Sequence, residues 1–269
     1  LWITVSSAES GYTREKMKEI LRLNDISHVY HGKTGETKAI ESMTFGVIEG
    51  EFFGIVGPSG SGKTTLLSLL AGILKPSSGE IERNISPAEI GYMLQRDHLF
   101  EWRTIEDNVL IGLEIRKIKT KENVDYALSL LDKYALGEFR RKKPSELSGG
   151  MRQRVALIRT LALRPKLVLL DEPFSALDFQ TRLTVAEDVR RIIREEGITA
   201  ILVTHDISEA IALCDRIAVL SARPATVKKI FENTIEKGLS SIERREHRDF
   251  AALFREVWKE LEFTDEKKK

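Results

Sequence analysis

The run Gly57-Pro58-Ser59-Gly60-Ser61-Gly62-Lys63-Thr64-Thr65 constrains this chain more than any other feature of it. It stands between an apolar run at 52–56, short enough for a buried strand, and a second at 66–74 that fits the opening turns of a helix. A glycine-rich turn in that position can fold its backbone amides inward around phosphate oxygens. The helix after it adds the positive end of its dipole, Lys63 a mobile cation and Thr64 a hydroxyl for Mg²⁺. Each part answers a negative charge, so residues 57–65 are expected to hold a nucleoside triphosphate. A glycine-rich turn with no nucleotide is the competing reading, and the strand before and helix after weigh against it.

The rest of the chain supplies a frame for such a loop. Apolar segments recur at 21–26, 52–56, 90–94, 167–170, 200–204 and 216–220, several of them continuous rather than alternating, as strands buried on both faces of a parallel sheet are. Between 96 and 165 that signal gives way to helical spacing, with Val124, Leu128, Leu131 and Tyr134, then Leu157, Leu161 and Ala162. A helical subdomain inserted into an α/β sheet domain is expected. Near the end Phe250, Leu253, Phe254, Val257, Trp258 and Leu261 form one apolar stripe, for docking on the core or on a partner, before a solvated tail at 264–269.

Composition removes several alternatives. With 269 residues the chain can bury a core without staples, and 42 Lys plus Arg against 41 Asp plus Glu leave a net charge of +1, no field for a general nucleic-acid binder. The single Cys214 cannot form an intrachain disulfide, which fits a reducing, cytoplasmic compartment. The run at 66–74, broken by Ser68 and Gly72, is about half the roughly 20 residues of a membrane-spanning helix. The opening Leu1-Trp2-Ile3-Thr4-Val5 lacks the basic segment of a signal peptide, and 1–16 are expected to be an appendage or an extended gene start outside the fold.

A second acidic element narrows the chemistry. The run 167–170 ends in Asp171-Glu172-Pro173, which places two carboxylates where a buried strand emerges beside the phosphate loop. Alone, such a pair is as readily a solvated turn. Beside a phosphate loop, Asp171 would hold Mg²⁺ and Glu172 would polarise an attacking water.

Leu147-Ser148-Gly149-Gly150-Met151-Arg152-Gln153-Arg154 resembles the signature motif of the ATP-binding cassette (ABC) ATPases. Its physical sense is a helix running on through Leu163, capped by Ser148, with the hydroxyl, the amides of Gly149 and Gly150 and the dipole all facing an anion. The resemblance implies that this cap closes over ATP held by a second copy, so that two cassettes meet head to tail. It also implies a P-loop ABC-ATPase fold with a mostly parallel core sheet, an N-terminal antiparallel β subdomain and an inserted helical subdomain.

Other family landmarks occur in order. Tyr30 sits where the family stacks an aromatic on adenine, Gln95 resembles the hinge glutamine that senses Mg²⁺ and water, and Ser175-Ala176-Leu177-Asp178 resembles the loop joining the two cassettes. For Asp178 a plain helix cap is the alternative. His205 matches the histidine that contacts the γ-phosphate and orders the catalytic carboxylate, while His28, His31, His98 and His247 have no comparable context. The resemblance thus implies catalytic roles for Glu172, His205 and Gln95, a metal set of Thr64, Gln95 and Asp171, and nucleotide contacts from Tyr30, 57–65, Ser148, Gly149, Gly150 and Asp178.

The implied layout is an extension at 1–20, an ATP-binding core at 21–95 and 166–225, a helical subdomain at 96–165 and a helical tail at 226–269. His98-Leu99-Phe100-Glu101-Trp102 and Leu220-Ser221-Ala222-Arg223-Pro224 further resemble the nitrate, sulfonate and taurine importer ATPases, although Glu101 stands where those proteins usually carry proline, and 79–95 looks short. Expected partners are a second ATPase subunit, a membrane permease and, indirectly, a solute-binding protein, with the chain peripheral on the inner face of the membrane. Leu99, Phe100 and Trp102 would receive a permease helix or pack into the helical subdomain. The rival reading is a soluble ATPase clamp on DNA or the ribosome, against which stand the short interval from Lys63 to Ser148 and the single cassette. A module that holds ATP without hydrolysing it is a third reading, opposed by Glu172 and His205.

Overall fold

The structure, a computed structural model, describes residues 18–32 and 35–262. The expectations for 1–16 and 264–269 lie outside the described residues. Two long strands, β1 (Glu19–Gly32) and β2 (Gly35–Ile48), pair antiparallel, and β3 (Phe52–Val56) follows them and leads through the glycine-rich turn into α1 (Lys63–Leu70). β4 (Ser78–Arg83) returns to pair antiparallel with β1, and β5 (Ile90–Met93) enters the core sheet. Because β1 starts at Glu19 and Ile20 is 2% exposed, the fold begins before residue 21 and takes in residues placed in the extension.

The interval after β5 holds three helices, α2 (Ile105–Ile115), α3 (Lys121–Lys133) and α4 (Gly149–Leu161). Their starts are written in the sequence: Thr104, Thr120 and Ser148 each accept a hydrogen bond from the backbone N–H three residues on. β6 (Leu167–Asp171), α5 (Phe179–Glu195), β7 (Thr199–Thr204), α6 (Ile207–Leu213) and β8 (Arg216–Leu220) complete the parallel part of the chain. β9 (Val227–Glu232) then pairs antiparallel with β8, before α7 (Ser241–Glu246) and α8 (Phe250–Glu262). The segment expected as a helical tail therefore opens with a strand of the core sheet. Its sequence, Val-Lys-Lys-Ile-Phe-Glu, has no apolar run because the strand lies at the sheet edge.

Strand order in the core sheet is β5-β6-β7-β3-β8-β9, and in the smaller sheet β2-β1-β4. Alternate residues of each central strand serve two different cores. Phe53, Ile55, Leu167, Leu169, Ile201 and Val203 join one with the antiparallel sheet and α1, and Phe52, Val56, Val168, Leu170, Ala200 and Leu202 join another with the helices. Burial on both faces is the reason those strands read as continuous apolar runs. The order also sets the carboxyl ends of β6, β7, β3 and β8 side by side, so that the loops after them converge.

The C-terminal segment clasps α6, the helix that follows His205. Asn233, 8% exposed, donates from Nδ2 to the carbonyls of Ile211 (2.7 Å) and Cys214 (2.9 Å), and its Oδ1 accepts from Ile235 N (3.2 Å). Arg244 is fully buried and donates to the same Cys214 carbonyl at 3.1 Å. α8 packs on α6, β8 and β9 through Val257, with Phe250, Leu253, Phe254 and Leu261 half-buried around it and Trp258 left 49% exposed. The apolar stripe is thus largely a core contact. Asn233→Ala strands the Ile211 carbonyl and leaves the Cys214 carbonyl to Arg244 alone, and is expected to lower stability by about 2 kcal/mol, read as a reduced urea midpoint; a loss below about 1 kcal/mol would show that α6 does not depend on this cap.

Candidate active site

A cavity of about 390 Å³ opens at the convergent strand ends, a size that takes a nucleotide. Lining it are Tyr30, Ser59, Gly60, Gly62, Lys63, Thr64, Thr65, Gln95, Asp171 and Glu172, all expected from the sequence, and Ala39 and Arg223, which were not. Gly62 supplies the conformation the turn needs. Its φ of 106° lies in the left-handed region, and a Cβ there would stand 3.0 Å from the Ala39 carbonyl oxygen, so only glycine turns the chain into α1 at this point.

Lys63 is held inside the curve of the loop, 6% exposed, with Nζ donating to the carbonyls of Gly57 and Pro58 at 2.9 Å each. Burial pulls its ammonium below the ordinary lysine range, and Glu172 and Asp171 oppose that pull. On the facing strand, Asp171 is 6% exposed and accepts from Thr64 Oγ1 at 3.4 Å and from the Tyr92 hydroxyl at 3.3 Å. Burial pushes its carboxyl above the usual carboxylate range, while the Thr64 and Tyr92 hydrogen bonds hold part of that back. Tyr92 had no motif to mark it; a tyrosine on a short core strand looks like ordinary packing.

Glu172 follows with a φ of 45°, in the left-handed region that a non-glycine residue enters only when its surroundings enforce it. The enforcement is visible: its N–H donates to the Val203 carbonyl at 2.9 Å, and Ser175 Oγ donates to its own carbonyl at 3.0 Å. That bend turns the carboxylate toward His205, whose Nδ1 lies 3.2 Å from Glu172 Oε2. Gln95, two residues past β5, donates from Nε2 to Ser175 Oγ at 3.2 Å. Gln95, Ser175, Glu172 and His205 are therefore linked through the loop after β6. Tyr30 stands half open at the cavity mouth, its hydroxyl 3.1 Å from Thr65 Oγ1 and its ring edge-on to His28 at 4.7 Å. His28 in turn meets the Lys75 carbonyl, so it supports Tyr30 rather than a ligand.

The signature residues take no part in this cavity. Ser148 caps α4, accepting from Met151 N at 3.3 Å, and Ser148 and Gly149 face outward. Gly150 is buried against α5; a Cβ there would meet Val185 at 2.9 Å and Thr181 at 3.0 Å, so glycine is what lets α4 approach α5. Asp178 is exposed and caps α5 through Thr181 N at 3.1 Å. In the loop after Gln95, Leu99 packs into the core at 7% exposure, which removes it from the surface expected to receive a permease, whereas Trp102 remains 73% exposed. That loop is fastened to α4: Arg152 pairs with Asp97 (2.8 Å) and Glu101 (2.7 Å), and Arg159 donates to the carbonyls of Asp97 and His98.

The Thr64 hydroxyl and Asp171 carboxylate form an oxygen donor set at the phosphate loop, which fits Mg²⁺, a hard cation bound by few protein groups and by substrate phosphates. A cavity lined by the glycine-rich loop, with a buried lysine, that donor set and a strained carboxylate paired with histidine, is built to hydrolyse a nucleoside triphosphate.

Comparison with known proteins identifies which such enzymes these are. The family model described as ABC transporter matches residues 40–175. The ABC transporter ATP-binding protein YtlC of Bacillus subtilis is 47% identical over 90% of this chain and 95% of its own length. The nitrate import ATP-binding protein NrtD of Synechocystis sp. is 42% identical over 78% of this chain and 80% of its own. Among solved structures, the post-hydrolysis dimer of the ATP-binding cassette MJ0796 bound to ADP and Pi superposes with a TM-score of 0.66 at 30% identity, covering 79% of this chain and 98% of that one. The chain belongs to the ABC transporter family, as an ATP-binding and ATP-hydrolysing subunit.

Proposed function

We propose that this subunit energises uptake of a small solute of the nitrate, sulfonate and taurine kind through a separate membrane permease, working as a head-to-tail pair on the inner face of the membrane. The observation that carries the hydrolytic half is Glu172, which lines the cavity with the phosphate loop and pairs with His205 at the end of the adjacent strand. The importer half is supported by the likeness to the nitrate import subunit. Against a soluble clamp, the segment from β5 to β6 carries α-helices of 11 to 13 residues rather than long coiled-coil arms.

In this reading Tyr30 stacks on adenine, residues 57–65 wrap the phosphates and Lys63 leaves its carbonyl partners for the β- and γ-oxygens. Thr64 and Asp171 would hold Mg²⁺, which would supply neutralisation of phosphate charge, and Gln95 would sense its presence. Glu172 orients and polarises the water that attacks the γ-phosphorus in line. As the new O–P bond forms, the bond to the β-bridging oxygen breaks and ADP departs. His205 holds Glu172 in place and donates to the γ-phosphate. Ser148, Gly149 and Gly150 of one copy cover the γ-phosphate in the other, and Asp178 lies at the junction between them. The outward-facing cap on α4, outside its own cavity, supports that arrangement. ATP joins the half-sites, cleavage removes the bridge, and the pair reopens. The movement leaves through the loop after Gln95, which Arg152 and Arg159 tie to the signature helix, with Trp102 as its apolar tip.

Glu172→Gln keeps the shape and loses the base. ATP binding should persist, turnover should fall by at least about 100-fold and an ATP-bound dimer should accumulate in sedimentation; normal hydrolysis by this variant would remove Glu172 from the role. Trp102→Ala should keep basal ATPase within about twofold, since the side chain touches no part of the cavity, while transport with the permease is lost. Equal loss of both activities would contradict docking at Trp102.

A further inference from the structure

The hydrolytic scheme leaves one charged lining residue of the cavity, Arg223, without a task. It is exposed, and among the described residues no hydrogen bond or ion pair engages its guanidinium. Most arginines of this chain are committed: Arg152, Arg159, Arg190, Arg194 and Arg216 each bind carboxylates or carbonyls. An uncommitted guanidinium at the wall of an anion cavity is a cation available to the anion.

The turn that carries it is rigidly fastened. Ser221 N donates to the Thr226 carbonyl at 3.0 Å, Thr226 N donates back to Ser221 Oγ at 2.9 Å, and Ser221 Oγ donates to the Pro224 carbonyl at 3.1 Å. On its far side Ala225 N donates to the Ala39 carbonyl and Glu41 N to the Ala225 carbonyl, each at 2.9 Å. Ala225 is fully buried, and its Cβ lies 3.8 Å from where a side chain on Gly62 would begin. The turn is thus tied to β2 and set against the phosphate loop.

Strand order decides which part of the nucleotide it serves. β3, which carries the loop, has β7 on one side and β8 on the other. His205 follows β7, and Glu172 follows β6 beyond it, so the hydrolytic groups occupy one flank. Arg223 follows β8 on the opposite flank, away from the γ-phosphate end. We propose that Arg223 donates from its guanidinium to the inner phosphates, those shared by ATP and ADP, and strengthens binding of both nucleotides alike. The proposal rests on the nucleotide-site reading given above and adds a contact to it.

The test is calorimetric titration with ADP and Mg²⁺, and with ATP and Mg²⁺ in the Glu172→Gln background, where the nucleotide survives. Arg223→Ala should weaken both by about tenfold, Arg223→Lys by less and Arg223→Glu by more. The dependence of affinity on salt should be shallower in Arg223→Ala than in the parent. Affinities within about twofold of the parent, equal losses for alanine and glutamate, or a loss confined to ATP would overturn the assignment. A parent chain that bound neither nucleotide, or a Lys63→Ala variant that bound both undiminished, would instead overturn the nucleotide site itself, and Arg223 with it.

Discussion

Like charges crowded at the end of a sheet need a counter-charge, and that need organises this molecule. Asp171 and Glu172 are consecutive, the first of them buried, at the carboxyl end of β6, and Lys63 is buried across from them inside the phosphate loop. Burial shifts both Lys63 and Asp171 against their charged forms, so neither is at ease without opposite charge nearby. Nucleotide phosphates and a divalent cation complete the balance. The double core, with strands apolar on both faces, brings the two loops that carry these groups to one rim.

In the proposed head-to-tail pair the same rim is one half of a catalytic site. The capped end of α4 is a second anion-seeking surface, yet it faces away from its own chain's cavity. Arg152 and Arg159 bind this helix to the loop after Gln95, and Gln95 reaches Ser175 beside Glu172. One set of hydrogen bonds therefore runs from the Glu172 backbone carbonyl through Ser175 to Gln95, and a second fastens the loop after Gln95 to α4, as far as Glu101 beside the exposed Trp102. Glu101, which departs from the proline usual in the nitrate-type relatives, is part of it, as the second carboxylate on Arg152. The clasp of Asn233 and Arg244 on α6 braces the same machinery from behind His205.

What could be read from the residues alone follows from how each signal arises. The phosphate loop and the strands at 52–56 and 216–220 emerged at their observed bounds because a doubly buried strand must be apolar throughout. β2 and β9 carry no such run, being edge strands, and β4 is largely polar; the tail consequently looked wholly helical. Leu99 was legible as apolar but not as inward-facing, since a loop has no period. Arg223, Ala39 and Tyr92 reach the site through tertiary pairing of distant strands, which leaves no local mark. The motif residues, in contrast, were legible because fixed spacing on a turn or helix start is itself the geometry that chemistry requires.

That ATP is gripped between two chains, each contributing half the pocket, is tested most directly by a crosslink between differently tagged copies. One copy carries Ser59→Cys and the other Ser148→Cys, both in the Glu172→Gln background; the natural Cys214 is fully buried, with its thiol pushed up by burial, and does not compete. Oxidation with ATP and Mg²⁺ present should join the two tags in one disulfide-linked species, and omission of ATP should abolish it. Failure to form that species with ATP bound, or its formation equally well without nucleotide, would contradict the shared site.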